Sequence, residues 1–279
     1  MNPLKWLKQG ERDHLIAPHQ RGLWNRLKRR WKFRRNKNKE QLDRPMSIFV
    51  TTRCNLNCYS CAALGMNPRP EPWDASLHNI QLFLSRMQDV FPEGSYVLLT
   101  GGEPTLYQYL ESTVDLIHNY RFKASILTNC AVLHHRTFSK LDYLILDYHK
   151  INEDKYTKVK KFLDANNIKY ESRMKHYHQD IPYAMENNIT KGARCSNWMK
   201  PITLYKGVVY PCCNAMCAEW WNNTSNIRED LDSAGWEVYN PKLAEVVKKW
   251  RYTLPDSFYR FCTLNCWKDA KRAKWVEIT

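Results

Sequence analysis

Between residues 46 and 174 short apolar runs alternate with longer amphipathic stretches, and this alternation narrows the fold more than any other feature of the chain. Runs at 46–52, 96–100, 124–128, 143–147 and 168–174 have the length of buried strands. Stretches at 77–90, 107–120, 134–140 and 152–166 carry the pattern of helices, and Asp74 and Ser76 are placed to cap the first of them. Repeated strand–helix units need crossover connections, so the expected architecture is an α/β fold with a parallel sheet, curved into a partial or complete barrel. Ligands in such folds gather at the carboxyl ends of the strands. Beyond about residue 185 the alternation fades, and 190–279 is rich in Cys and Trp with short elements. A helix is expected over 241–251, with Leu243, Val246, Val247 and Trp250 on one side.

The first apolar run leads straight into Cys54-Asn-Leu-Asn-Cys58-Tyr-Ser-Cys61, three cysteines spaced C-x3-C-x2-C. Thiolates this close suit a soft metal or an iron–sulfur cluster. Structural zinc favours four closed ligands in C-x2-C pairs, so the spacing leans away from zinc. Three protein ligands leave one iron of a four-iron cluster open to a substrate or cofactor. The second strand ends in Gly101-Gly102-Glu103-Pro104, at the same end of the sheet as the cysteine loop.

The chain has ten cysteines, and most of the others fall at 195–217 and 262–266. The N-terminus is basic but has no apolar signal core. A reducing, cytoplasmic setting is therefore expected, with cysteines serving metals or redox chemistry rather than disulfides. No run of about 18 apolar residues suggests a transmembrane segment. Net charge is +15, and residues 1–45 hold 14 Lys and Arg against four acids. Leu23, Leu27 and Trp31 recur there at helical spacing beside Trp24. Such an arm is suited to an anionic partner, a membrane surface or a phosphate backbone; the plainer reading is a solvated extension docked by its few apolar residues.

The cysteine loop followed by Gly101-Gly102-Glu103-Pro104 resembles the radical SAM superfamily, whose C-x3-C-x2-C follows the first barrel strand and whose GGE follows the second. The resemblance implies a partial (β/α)6-type TIM barrel over 46–188. It implies that Cys54, Cys58 and Cys61 hold a [4Fe–4S] cluster whose open iron is chelated by S-adenosylmethionine (SAM). The backbone of Gly101, Gly102, Glu103 and Pro104, with the Glu103 side chain, would receive the methionine amino group. Thr128-Asn129 resembles the family's TNG stretch, with Cys130 in place of the glycine. Asp147 and Arg173 (or Lys175) are candidates to contact the ribose or the SAM carboxylate.

The segment Cys195-x11-Gly207-x4-Cys212 resembles the opening of SPASM and Twitch auxiliary-cluster domains, and the run from Trp236 to Leu243 resembles their linker helix. Cys262 and Cys266 would complete a four-thiolate site with Cys195 and Cys212, leaving Cys213 and Cys217 over. The implied organisation is a basic arm over 1–45, the barrel over 46–188 and a small Cys-rich domain over 189–279 with one auxiliary [4Fe–4S] cluster.

Three functional readings follow. The first is an oxidoreductase or maturase that modifies a peptide or protein side chain through a 5′-deoxyadenosyl radical. The second is the same chemistry on a sugar or nucleotide metabolite or a nucleic acid. The third is a zinc-binding, nucleic-acid-binding protein without catalysis. Either enzyme needs an external one-electron reductant of the flavodoxin or ferredoxin kind. Tyr148 and His149 are candidates to line a substrate cavity, and Cys130 or Cys217 to donate a hydrogen. His134-His135 and His176-x-His178 are weaker metal candidates.

Overall fold

The computed structural model describes residues 46–56, 71–174, 177–179, 202–211, 235–250 and 275–277. The basic arm, Cys58, Cys61, Lys175, His176 and all the cysteines from Cys195 onward lie outside the described residues.

Strand β1, Met46–Thr51, is buried along its whole length. Its two polar residues away from the apolar set are bonded, Ser47 Oγ to Thr203 Oγ1 at 2.7 Å and Thr51 Oγ1 to Asp74 Oδ1 at 2.6 Å. Helix α1, Leu77–Gln88, begins at Ser76, whose side chain accepts a bond from the Asn79 N–H at 3.2 Å. Asp74, the other expected cap, instead accepts from Thr51 and pairs with Arg53 at 3.3 Å. The buried face of α1 is Ile80, Phe83, Leu84 and Met87, the i, i+3, i+4, i+7 stripe of a core-facing helix.

The remaining units follow in order: β2 Tyr96–Gly101, α2 Leu110–Asn119, β3 Lys123–Thr128, α3 His135–Lys140, β4 Tyr143–Tyr148, α4 Glu153–Ala165 and β5 Tyr170–Met174. The helix expected over 107–120 starts late. Glu103 caps a 3-10 turn at Pro104–Leu106, and Tyr107 then turns extended at ψ 120°. The Tyr107 hydroxyl donates to the Ala75 carbonyl at 2.7 Å from a buried ring, so tertiary packing delays the helix.

β5, β4, β3, β2 and β1 lie side by side, all parallel. Tyr177–Gln179 (β6) pairs outside this sheet, with Trp275–Glu277 (β10). Ile202–Tyr205 (β7), an element absent from the sequence-based expectation, joins the free side of β1 in parallel register. Val208–Tyr210 (β8) and Trp236–Glu237 (β9) extend that side antiparallel. The result is an eight-stranded, mostly parallel α/β sheet in which β1 is interior, not an edge. Interior strands are buried on both faces and read as near-continuous apolar runs, as 46–50 does with Ser47 its one polar residue.

The β7–β8 turn is Lys206-Gly207, with φ of +48° and +79°. Two positive φ values are what a two-residue hairpin demands, and they account for a glycine at 207. The run from Trp236 is not a helix throughout. Trp236–Glu237 is strand, Asn240 Oδ1 accepts from the Lys242 N–H at 2.9 Å in a turn, and helix α5, Leu243–Trp250, follows. A helix running from Trp236 would need the N–H that Pro241 lacks, so the helix lies beyond it. Leu243, Val247 and Trp250 bury the inner face of α5.

Candidate cofactor site

The carboxyl ends of β1, β2 and β3 are stitched together by backbone. The Gly102 N–H donates to the Thr51 carbonyl at 2.7 Å, and the Glu103 N–H to the Arg53 carbonyl at 2.7 Å. The approach is close enough to exclude side chains. A Cβ on Gly101 would stand 2.4 Å from Thr51 O, and one on Gly102 would stand 2.2 Å from Arg53 O. Gly101 also has φ +140°, outside the comfortable range of other residues. The two glycines therefore admit the chain's own β1 loop, where the sequence suggested close approach of a ligand.

Glu103 is buried, and its carboxylate gathers the next loop around it. Oε1 accepts from the Thr105 N–H at 3.0 Å, the Thr105 hydroxyl at 2.6 Å and the Thr128 hydroxyl at 2.5 Å; Oε2 accepts from the Asn129 N–H at 2.7 Å. Burial pushes the Glu103 pKa above the usual carboxylate range, against the opposing pull of these bonds. Thr128 Oγ1 in turn accepts from the Cys130 N–H at 2.9 Å. Thr128 and Asn129 are thus tied to the GGE segment, as their joint mention in the sequence motif implies.

Cys130 has φ +65° and is fully buried. The left-handed backbone is the reason a glycine suits this position. Burial, reinforced by the carboxylates of Glu103 and Asp147, pushes the Cys130 thiol strongly up. The thiol is therefore packed within the core of the described residues.

Cys54 stands three residues beyond β1, partly buried against the core. Its Sγ accepts from the Leu56 N–H at 3.4 Å and from the Asn129 side-chain amide at 3.8 Å. Two N–H donors aimed at one sulfur suit a thiolate ligand, so Cys54 fits the iron–sulfur role on its donor set. Around it three side-chain amides close a ring. Asn129 Nδ2 donates to Asn55 Oδ1 at 3.0 Å, Asn55 Nδ2 to Asn152 Oδ1 at 3.4 Å, and Asn152 Nδ2 to Asn129 Oδ1 at 3.1 Å. Sequence reasoning missed Asn55, Thr105 and Asn152. Asn152 reads as a helix-cap residue, and nothing in the sequence places it near Asn129.

Asp147 and Arg173 are register partners on β4 and β5. Asp147 is buried, whereas Arg173 is exposed and donates from Nε to Glu171 Oε1 at 2.7 Å. Tyr148 packs edge-on against Tyr156 at 5.1 Å between centroids, and His149 is buried. His134 Nε2 bonds the Thr105 carbonyl at 2.7 Å, and His135 packs on Phe162 at 4.6 Å, which gives both histidines structural duties. Among the described residues, no three His, Cys, Asp or Glu side chains come together as a metal site.

The fold is thus a mostly parallel α/β sheet with a thiol, a glycine-rich turn and a polar lattice at the carboxyl ends of adjacent strands, the end where ligands of such folds gather. No protein-family model matches the chain. A GTP 3′,8-cyclase of Sulfurovum sp. (strain NBC37-1) is 35% identical over 101 residues, covering 34% of this chain and 29% of that protein. The chain thus spans less than a third of the length of this curated relative. Among solved structures, BtrN in complex with AdoMet and 2-DOIA is similar at TM-score 0.46 and 17% identity, covering 76% of this chain and 88% of that one. Streptococcus suis SuiB bound to precursor peptide SuiA is similar at TM-score 0.41 and 19% identity, over 55% of this chain and 38% of that one. The anSMEcpe structure with bound AdoMet gives TM-score 0.39 and 14% identity, over 46% and 42% of the two chains. Among the described residues, no helix is long and apolar enough to cross a membrane.

Proposed function

We propose that this chain is a radical SAM enzyme whose SAM-binding cluster is ligated by Cys54, Cys58 and Cys61. The observation that carries the reading is the direct stitching of the Cys54 loop to the Gly101–Glu103 segment, with two N–H donors on the Cys54 sulfur. When bound, the cluster and SAM supply, with one electron from a flavodoxin- or ferredoxin-like donor, a 5′-deoxyadenosyl radical that takes a hydrogen atom from a substrate C–H bond.

The protein's part is placement. Gly102 and Glu103 lock the Cys54 loop onto β2 through their N–H groups. Glu103 holds Thr128 and Asn129 beside that loop through its carboxylate. Gly101 and Pro104 shape the turn between them. Asp147 and Arg173, one strand apart at the neighbouring strand ends, supply the charges for the ribose and carboxylate of SAM.

The substrate proposed is a peptide or protein side chain, undergoing oxidation, cross-linking or epimerisation. The Cys195-x11-Gly207-x4-Cys212 pattern supports it, and the hairpin at Gly207 gives that glycine a structural reason. Cys195, Cys212, Cys262 and Cys266 would hold the assisting auxiliary [4Fe–4S] cluster. A second reading, a nucleotide or other metabolite as substrate, is favoured by the similarity to a GTP 3′,8-cyclase. The basic arm over 1–45 is proposed to draw in an anionic partner under either reading.

Anaerobically purified protein is expected to be brown, with about eight irons per chain if both clusters are filled. Replacing Cys54, Cys58 and Cys61 together with Ala should abolish reductive cleavage of SAM and spare the auxiliary iron. Continued 5′-deoxyadenosine formation by that variant, or a colourless zinc-loaded wild type, overturns the proposal. Transfer of deuterium into 5′-deoxyadenosine from a labelled acidic peptide, against labelled GTP, separates the two substrate readings.

A further inference from the structure

Asn152 occupies the N-cap of α4, where asparagine is among the favoured residues, yet its side chain makes no capping bond. It reaches across the sheet end instead. Its Nδ2 donates to the Asn129 backbone carbonyl at 3.3 Å and to Asn129 Oδ1 at 3.1 Å, and the side chain is buried. Those two bonds settle which way the Asn129 amide faces. With its oxygen held by Asn152, its NH2 group faces Asn55 Oδ1 and Cys54 Sγ. Turned by 180°, the same amide would set its oxygen against the sulfur and against another oxygen, while its NH2 met the Asn152 NH2. The ring of three amides therefore admits one arrangement, and that arrangement presents a donor to the sulfur.

Hydrogen bonds to cluster thiolates tune reduction potential, because a donor stabilises the extra negative charge of the reduced form. Resting on the radical SAM reading above, we infer that Asn152 is a positioning residue that acts through Asn129 to raise the reduction potential of the cluster ligated at Cys54. The electron enters from the external one-electron donor; Asn152 exchanges neither electron nor proton. What it contributes is the orientation of one N–H, from a position 98 residues further along the chain than Cys54 (152 minus 54).

The test uses the full-length chain with its clusters reconstituted, and Asn152→Ser. Serine keeps a polar side chain at this position but is too short to reach the Asn129 amide, and loss of the buried bonds is expected to lower Tm modestly while the fold holds. The readout is the midpoint potential of the reduced-cluster EPR signal that changes on addition of SAM, titrated with a chemical reductant. The expected result is a normal iron and sulfide content with a midpoint shifted to lower potential. In an Asn129→Ala background, itself shifted downward, Asn152→Ser should add no further shift. Asn152→Ala, which also removes the amide, should shift the potential as Ser does whatever its Tm, which separates the electronic effect from stability. A wild-type midpoint in Asn152→Ser, or a full second shift in the Asn129→Ala background, overturns the inference and leaves the radical SAM reading standing. A wild-type protein that shows no SAM-sensitive cluster signal overturns both.

Discussion

At the carboxyl ends of β1 to β3, Glu103, Thr105, Thr128, Asn129 and Asn152 are buried and bonded to one another; at the end of β5, Arg173 stays in water and pairs only two residues back, with Glu171. The first region is fixed before any ligand arrives. Its carboxylate is consumed by four donors, and its glycines are pressed onto backbone with no room for a Cβ. The second region keeps charge at an edge strand, held by an exposed ion pair that contributes little to stability. The difference separates two tasks that sequence motifs run together. Residues of the GGE type can build a site without meeting its ligand, whereas a loosely held arginine is free to be claimed by one.

Substitutions at four positions put that contrast under strain. The largest effect is expected from Gly102→Ala, which drives a Cβ into the Arg53 carbonyl of the interlocked region. Overpacking against backbone should cost about 3 kcal/mol or more, read as the loss in urea-unfolding free energy. A variant of wild-type stability would mean the two loops are not locked.

Next comes pH. Burial raises the Glu103 pKa in the folded state above its ordinary value of 4.5. A carboxyl with a raised folded pKa binds its proton more tightly when folded, so its contribution is fully present below 4.5 and fades as pH climbs through the folded value. Unfolding free energies measured upward from pH 4.5 should therefore carry a downward slope from this group, and Glu103→Gln should flatten it. An unaltered slope would place the titration elsewhere.

Cys130 offers a subtler check on the same region. Glycine there relieves a left-handed backbone but empties a buried position; alanine empties it without relief. Cys130→Gly should be the more stable of the two by about 1 kcal/mol, the reverse of the usual order of Ala and Gly. Thermal melts of the pair decide it.

The smallest stability effect belongs to the open region. Arg173→Ala should change folding free energy by no more than about 0.5 kcal/mol, since its partner Glu171 is equally exposed. SAM affinity, measured by equilibrium binding to the reconstituted protein, should nonetheless fall. Unchanged affinity would return Arg173 to the role of a surface ion pair.

The strand–helix alternation was legible without coordinates because burial on both faces of a parallel strand leaves an unbroken apolar run, as in 48–50, 97–99 and 144–146. Ser76 announced a helix start by its own chemistry. The C-x3-C-x2-C and GGE stretches pointed to one end of one sheet, because both follow strands of the same parallel set. Four residues of strand at 202–205 were too short to stand out, and their value lies in filling the open side of β1, a fact of pairing alone. The late start of α2 depended on a hydroxyl reaching Ala75, 32 residues away in sequence.

Sequence alone thus determined which chemistry sits at the strand ends, since cysteine spacing and glycine placement are local properties of the chain. It also showed Cys130 standing where the resembled motif has glycine, while the φ of +65° that favours glycine there came from the structure. Only the tertiary structure decided that Gly101 and Gly102 receive the chain's own backbone, that Glu103 is spent on Thr105, Thr128 and Asn129, and that Asn152 abandons its helix to orient an amide beside Cys54. Each of these is a contact between strand ends brought together by β-sheet register. Which strand ends meet depends on how whole strands pair, and that joins stretches far apart in the sequence.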